Sequence, residues 1–352
     1  MKVLLIYPDY GKTITGGQAY DYYFINRLSS SDNVSVNIYE EKIKNYDSFF
    51  SLFSYLKLLK TAKNYDIIIS NSRYYSKFLL LFCVLKIIYS KKIILFHHHF
   101  NFLTECGLKQ KLHRRFELPF LKQASQIIIP SPYVKKLMEK LLPKKKIVYI
   151  PLAFKTNREI SLSTLKNGNK LLFVGTIEPR KGIIYLLQSL FLLKQQNVSS
   201  FCSIVGAVID ESYYQTLLTY INENSLSENV CFLGRVSDTE LNNLYSTSDC
   251  FVFPSLHEGF GMVLVEAMSH GLPVVAFNNS AIPYTVKNDE NGLLVENKNT
   301  AKLGEAIKNV MENEKLRLNL GKNAYKTYLN SYSYAELNKD IDTFATNLKK
   351  HR

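Results

Sequence analysis

Short apolar runs recur along the whole chain, and the stretches between them bring apolar side chains back every three or four positions. Runs rich in β-branched residues read as strands, and the 3.6-residue return reads as helix. In the first half the strand-like runs are KVLLIY (2–7), VSVNIY (34–39), DIIIS (66–70), KIILF (92–96), QIIIP (126–130) and KIVYI (146–150). In the second they are KLLFVG (170–175), FCSIVG (201–206), NVCFLG (229–234), CFVFP (250–254), LPVVAF (272–277) and NGLLVE (291–296). These runs are largely continuous rather than alternating, which predicts parallel strands buried on both faces by helices. Two such series predict an α/β chain with two doubly wound domains. The polar stretch KTNREISLSTLKNGN (155–169) reads as the linker, giving domains at 1–155 and 156–330 and a C-terminal helical segment at 331–352. KFLLLFCVLKIIYSKK (77–92) is too short for a membrane span and is interrupted by Lys86, so it reads as a buried helix. The opening MKVLLIYPDYG lacks the apolar length and cleavage site of a signal peptide and reads as the first strand.

Composition bears on compartment and partner. With 352 residues and 46% hydrophobic content, each domain can bury a core of ordinary size. The five cysteines, at 83, 106, 202, 231 and 250, show neither CxxC nor zinc-ligand spacing, which fits a reducing compartment and core packing. The net charge of +14 is uneven: residues 1–155 hold 25 basic and 10 acidic side chains, and residues 156–352 hold 19 and 20. The first half carries essentially all the basicity. Solvated lysine faces would account for it, and so would an anionic partner, either membrane lipid or nucleic acid.

Candidate chemistry concentrates in FVFPSLHEGFGMVLVEAMSHGLPVVAFN (251–278), an apolar stretch with two glutamates, Glu258 and Glu266. Burying an ionised carboxylate without partners costs several kcal/mol or more, so each must meet something. The stretch reads as a strand, a loop SLHEGF, a helix GMVLVEAMSH ending at Gly271, and a next strand opened by Pro273. Loops at the carboxyl ends of strands are where open α/β sheets bind ligands. Gly259 and Gly261, flanking Phe260, allow close backbone approach, and the N–H groups of Gly261 and Met262 at the helix start favour phosphate. Glu258 then lies beside that phosphate. Glu266, further down the helix, can accept two hydrogen bonds from a vicinal diol such as a ribose. The alternative gives Glu266 a buried Arg or Lys partner and leaves Glu258 as a loop charge.

The frame HEGFGMVLVEAMSHGLPVVAF, with seven residues between Glu258 and Glu266, resembles the EX7E signature of retaining glycosyltransferases of the GT-B fold, family 4. The likeness runs from LLFVGTIEPRKG (171–182) through NVCFLGRVSDTELNNLYSTSDCFVFPS (229–255) to NGLLVE (291–296). It implies two Rossmann-like domains facing a cleft, with a C-terminal helix crossing back to the N-terminal domain. A UDP- or GDP-sugar donor would bind the C-terminal domain and the acceptor the N-terminal one. On this resemblance Glu258 contacts donor-sugar hydroxyls, Glu266 binds the ribose, and Gly259, Phe260, Gly261 and Met262 line the donor site; no metal is expected.

Departure of a nucleoside diphosphate leaves charge on its β-phosphate, so a metal-independent transferase needs fixed cations there. In GTIEPRKG (175–182) Lys181 matches the family's lysine. Thr176 stands where the family often has arginine, and Arg180 takes that role, as in the EPRK variant of mannosyltransferase-like members. Two cations at a helix start oppose the helix dipole, a conflict that an anionic ligand relieves. TITGGQAYDYYFINRL (13–28) is similar to the family's glycine loop and following helix, in which Gly16 and Gly17 would bring N–H groups to the diphosphate. IILFHHHF (93–100) ends in three histidines, and strand alternation sends His97 and His99 to one face and His98 to the other. The family has a histidine at this strand end, near donor sugar and acceptor. His99, furthest along, is the expected one, with the others satisfied structurally. Adjacent histidines alone give poor zinc geometry.

The expected function is retaining transfer of a hexosyl group to a hydroxyl of a glycan or lipid-linked glycan, in bacterial cell-surface polysaccharide synthesis. Same-face attack, with the leaving diphosphate stabilised by Arg180, Lys181 and backbone N–H groups, needs no nucleophilic side chain. A non-catalytic GT-B homologue acting as a partner subunit would keep the fold, but Glu258, Glu266 and Lys181 are all present. A nucleic-acid-binding protein would use the basic half, yet the chain shows no zinc finger or RNP-like motif. The expected location is cytoplasmic, peripheral on the inner face of the plasma membrane where the acceptor is lipid-linked. SFFSLFSYLKLLKTAK (48–63) and KQKLHRRFELPFLK (109–122) are the candidate contacts with anionic lipid.

Overall fold

A computed structural model describes residues 1–8, 16–31, 34–39, 52–103, 107–154 and 168–350. The chain divides into two compact units, Met1–Leu152 with Ala335–Arg352, and Ala153–Tyr334. Nearly all of the expected linker, residues 155–167, lies outside the described residues, as do 48–51 of the first candidate lipid contact, the glycine-loop residues 13–15 and Cys106.

The first unit is built on six parallel strands, β1 (Lys2–Ile6), β2 (Ser35–Ile38), β3 (Ile67–Asn71), β4 (Lys92–Phe96), β5 (Gln126–Ile129) and β6 (Lys146–Tyr149). They lie in the order β2-β1-β3-β4-β5-β6. The helices α1 (Gly16–Ser29), α2 (Leu52–Ala62), α3 (Tyr75–Ile87), α4 (Gly107–Gln123) and α5 (Pro132–Leu141) connect them. Burial follows the strand composition. Every residue of the central β3 is buried, and its register sets Ile68 and Ile69 beside Ile93 and Ile94. The edge strands β2 and β6 are partly exposed, and there Ser35, Asn37 and Lys146 appear. α3 packs Phe78, Leu81, Phe82 and Leu85 into this core but leaves Leu80 and Ile87 exposed, so the run 77–92 forms a helix buried on one face rather than the wholly buried one expected. Among the described residues no helix is long and apolar enough to cross a membrane.

The second unit repeats the plan with β7 (Lys170–Val174), β8 (Phe201–Val205), β9 (Val230–Gly234), β10 (Cys250–Phe253), β11 (Val274–Phe277) and β12 (Gly292–Val295). Counted from one edge the order is β9-β8-β7-β10-β11-β12, the doubly wound dinucleotide-type order. The helices are α6 (Ile183–Gln195), α7 (Glu211–Glu223), α8 (Asp238–Thr247), α9 (Met262–Ser269), α10 (Ile282–Thr285), α11 (Thr300–Glu312) and α12 (Glu314–Ser331). Phe251 and Phe253 of β10 and Phe173 of β7 stack through the core, and the thiols of Cys202 and Cys250 are buried there.

The last helix, α13 (Tyr334–Lys350), packs within the first unit. Phe344 meets Phe24 of α1 edge-on at 5.6 Å, Tyr23 Oη donates to Asn338 Oδ1 at 2.7 Å, and Arg27 pairs with Asp342 at 2.6 Å. Both sheets reverse strand order at one point, between β1 and β3 and between β7 and β10. Such switch points open a crevice at the carboxyl ends of the strands.

Candidate active site

In the second unit two loops meet at the switch point. β7 leads into a 3-10 turn, Pro179–Lys181, closed by Gly182 at φ +67°. A Cβ at Gly182 would lie 2.1 Å from Pro254 O, so the turn presses directly on the end of β10. Leu256 N donates to Arg180 O at 2.8 Å and joins the two loops. That contact brings the basic pair to Glu258. Lys181 Nζ lies 2.6 Å from Glu258 Oε1, Ser255 Oγ donates to the same oxygen at 2.7 Å, and Arg180 Nη1 stands 3.4 Å away. Arg180 is held further by His257 O at 3.0 Å and Glu178 Oε1 at 2.7 Å, the latter also accepting from Thr176 Oγ1 at 2.6 Å. Two carboxylates and two cations thus offset one another, with Lys181 and Glu258 both nearly buried and hydrogen-bonded, the condition under which a buried pair is tolerated. All contacts of the Glu258 carboxylate fall on Oε1. Among the described residues Oε2 takes no hydrogen bond, and it is not sealed from solvent. Burial pushes the His257 pKa down, with the Glu258 charge opposing that shift.

Glu266 lies on α9, which starts at Gly261 (φ +86°). The helix ends as expected at Gly271 (φ +66°), with Leu272 N donating to Ala267 O and Gly271 N to Met268 O. Tyr245 Oη donates to Glu266 Oε2 at 2.9 Å, so its partner is a tyrosine of α8 rather than an Arg or Lys. Burial raises its pKa to about 6 against the pull of that hydrogen bond. Oε1 takes no hydrogen bond among the described residues and reaches solvent. Of the loop residues, Gly259 and Met262 are half-buried, whereas Phe260 turns inward against Tyr332, ring centroids 5.8 Å apart.

The first unit places the three histidines in three environments. β4 stops at Phe96, so strand alternation does not govern the run. His97 is fully buried against Phe100 with Nδ1 2.8 Å from Ser72 Oγ, and burial pushes its pKa well down. His98 is partly exposed, its Nε2 2.8 Å from Asp21 Oδ1. His99 is exposed. Gly16 and Gly17 begin α1 instead of preceding it, and Gly17 lies against the His98 ring. Ser255, Glu178, Tyr245 and Asp21 escaped the sequence reading. Asp21 carried a usable signal, a carboxylate inside the aromatic run YDYYF, the same kind of conflict that exposed Glu258.

Residues 154–327 match the family described as Glycosyl transferases group 1, and residues 16–158 match Glycosyltransferase Family 4. An uncharacterized 41.2 kDa protein in the cps region of Klebsiella pneumoniae is 29% identical over 280 residues, 75% of this chain and 74% of that one. The capsular polysaccharide biosynthesis glycosyltransferase CapM of Staphylococcus aureus is 32% identical over 190 residues, so that the alignment spans 51% of this chain and 48% of CapM. HepE of Anabaena, solved in complex with UDP, superposes with a TM-score of 0.78 over 99% of this chain and 100% of that one. At 19% identity that likeness concerns the fold.

Proposed function

Because the chain belongs with the GT-B glycosyltransferases, its first half matching Glycosyltransferase Family 4 and its second Glycosyl transferases group 1, we propose that it transfers a sugar, with retention, from a nucleoside diphosphate to a hydroxyl of a cell-surface glycan or lipid-linked glycan. The observation that carries this reading is the pairing at the β7/β10 switch point. Lys181 and Arg180 are fixed there by Glu258, Glu178 and His257 O, while Glu258 Oε2 and Glu266 Oε1 remain for hydroxyl donors. Charge developing on the leaving diphosphate would meet cations already held in place, which is where preorganised electrostatics lowers a barrier. Glu266 would accept from the ribose and Glu258 from the donor sugar. No metal is required in this scheme, because the two side-chain cations supply the charge. The names of relatives from a cps region and from capsule synthesis support a polysaccharide acceptor.

A lipid-linked acceptor would bring the first unit to a membrane surface, and we assign that contact to α4. Leu108, Leu112 and Phe116 share one exposed stripe of this helix, with Lys109, Lys111, Arg114 and Arg115 exposed around it. The reading includes a peripheral location on the inner face of the plasma membrane, which the cations around the stripe support through their attraction to anionic lipid. The donor is tested by thermal unfolding with UDP-, GDP- and ADP-sugars, since a bound ligand raises the transition by mass action. A clear shift with one base is expected; no shift with any of them would overturn the proposal. Nuclear magnetic resonance of the first-formed product reads retention directly from its anomeric configuration.

A further inference from the structure

At the switch point of the first unit, between β1 and β3, three side chains from three segments converge on one carboxylate of a fourth. Tyr7 follows β1, Asn71 ends β3, His98 follows β4, and Asp21 projects from α1, where it is 1% exposed. Asp21 Oδ2 accepts from Tyr7 Oη at 2.7 Å and from Asn71 Nδ2 at 2.6 Å, while Oδ1 lies 2.8 Å from His98 Nε2. Among the described residues no Lys or Arg pairs with it. A carboxylate buried this deeply is tolerated because donors occupy both oxygens. α1 fixes the imidazole in two further ways. A Cβ at Gly17 would stand 3.4 Å from the ring, so the helix start lies flat on it, and Tyr20 meets it edge-on at 5.8 Å. Position, plane and hydrogen-bond partner of His98 are therefore all set by the first turn and a half of α1. Of its neighbours, His97 is sealed in the core and His99 is exposed.

We propose that Asp21 is a positioning residue for His98, and that His98 is the histidine of the run that serves the transfer. As an acceptor, Asp21 holds the proton on Nε2 and leaves Nδ1 as the nitrogen able to meet a sugar hydroxyl. The inference rests on the glycosyl-transfer reading above. It extends that reading by selecting the histidine, its tautomer and the group that imposes both.

The asymmetry of the network supplies a decisive variant. Oδ2 has two donors and Oδ1 has one, so in Asp21→Asn the amide oxygen belongs with Tyr7 and Asn71, and the NH2 group turns to His98. The imidazole must then accept at Nε2 and carry its proton on Nδ1. Histidine-labelled protein examined by 1H–15N resonance should show His98 as the Nε2–H tautomer in the native chain and the Nδ1–H tautomer in Asp21→Asn. Hydrolysis of UDP-glucose, GDP-mannose and ADP-glucose is measured in parallel, using whichever is cleaved fastest. In Asp21→Asn kcat should fall on the order of tenfold or more with donor KM unchanged. A lowered Tm with native tautomer and native kcat would reduce Asp21 to a structural tie and overturn the proposal. His98→Asn with native turnover would overturn it as well, whereas the loss of turnover in Lys181→Ala would still stand for the transfer reaction itself.

Discussion

Lys181 Nζ and Glu258 Oε1 meet at 2.6 Å across 77 positions of sequence, and each residue is less than one-tenth exposed. The contact answers what an apolar loop does with a carboxylate: Glu258 is met by a cation delivered from the neighbouring strand's loop. It also sets the charge of the site, since Lys181 is fixed by a partner rather than by the ligand.

Lys181→Ala should therefore lower kcat by about 10²- to 10³-fold and weaken donor binding much less, because the charge it meets develops in the transition state. Ser255 and Arg180 still contact Glu258 in this variant, which limits the loss of stability. Steady-state kinetics beside calorimetric donor titration separates the two effects. Equal losses in binding and turnover would show that Lys181 only holds ground-state phosphate.

Glu266→Ala should weaken donor binding by about 1–3 kcal/mol while the fold stays intact, through loss of hydrogen bonds to the ribose. Its pKa of about 6 adds a pH signature. The ionised carboxylate can accept two hydroxyls and the protonated acid fewer, so affinity should fall as pH drops below about 6, and Glu266→Ala should lack this limb. Native nucleotide affinity combined with early melting would make Glu266 a structural partner of Tyr245.

The twelve strands were legible because a continuous β-branched run can hardly do anything but fill a two-sided sheet. Glu258 and Glu266 were legible because their charge contradicts their neighbours. What escaped depends on which elements lie side by side. The Tyr245–Glu266 bond joins α8 to α9, the Asp21–His98 contact joins α1 to the end of β4, and neither spacing leaves a trace in one sequence. The histidine run misled for a related reason: alternation holds only while the strand continues, and β4 ends one residue before it.

Glu117 of α4 predicts a stability change with pH. Fully buried, it accepts from Asn101 N and Nδ2 and from Phe102 N, holding the turn that follows the histidines. Burial raises its pKa from 4.5 to about 7. A folded-state pKa above the unfolded one means that the native state binds the proton more tightly. The contribution is complete below about 4.5 and is lost as pH rises through 7, by at most about 3 kcal/mol. The Tm advantage of the native chain over Glu117→Gln should accordingly shrink between pH 5 and pH 8. A constant difference would place the ionisation of Glu117 at its ordinary pKa.

The α4 stripe predicts how the protein meets a membrane. Leu108, Leu112 and Phe116, spaced four apart, are 74%, 46% and 43% exposed, an unusual cluster for a helix that buries Phe120 and Leu121 at its other end. Each surrounding Lys or Arg contributes about 1 kcal/mol against anionic lipid, and the attraction fades beyond roughly 10 Å at 0.1 M salt. Binding should thus have a salt-sensitive part, from the cations, and a salt-resistant part, from the stripe. Co-sedimentation with phosphatidylglycerol-containing vesicles at low and high salt measures both. Charge reversal at Lys109, Lys111 and Arg115 should abolish the first, and Leu108→Ser with Phe116→Ser should reduce the second. Equal retention on neutral vesicles would make the stripe a purely apolar anchor. No binding to anionic vesicles at low salt would overturn the membrane assignment and leave the basic half to a soluble acidic acceptor.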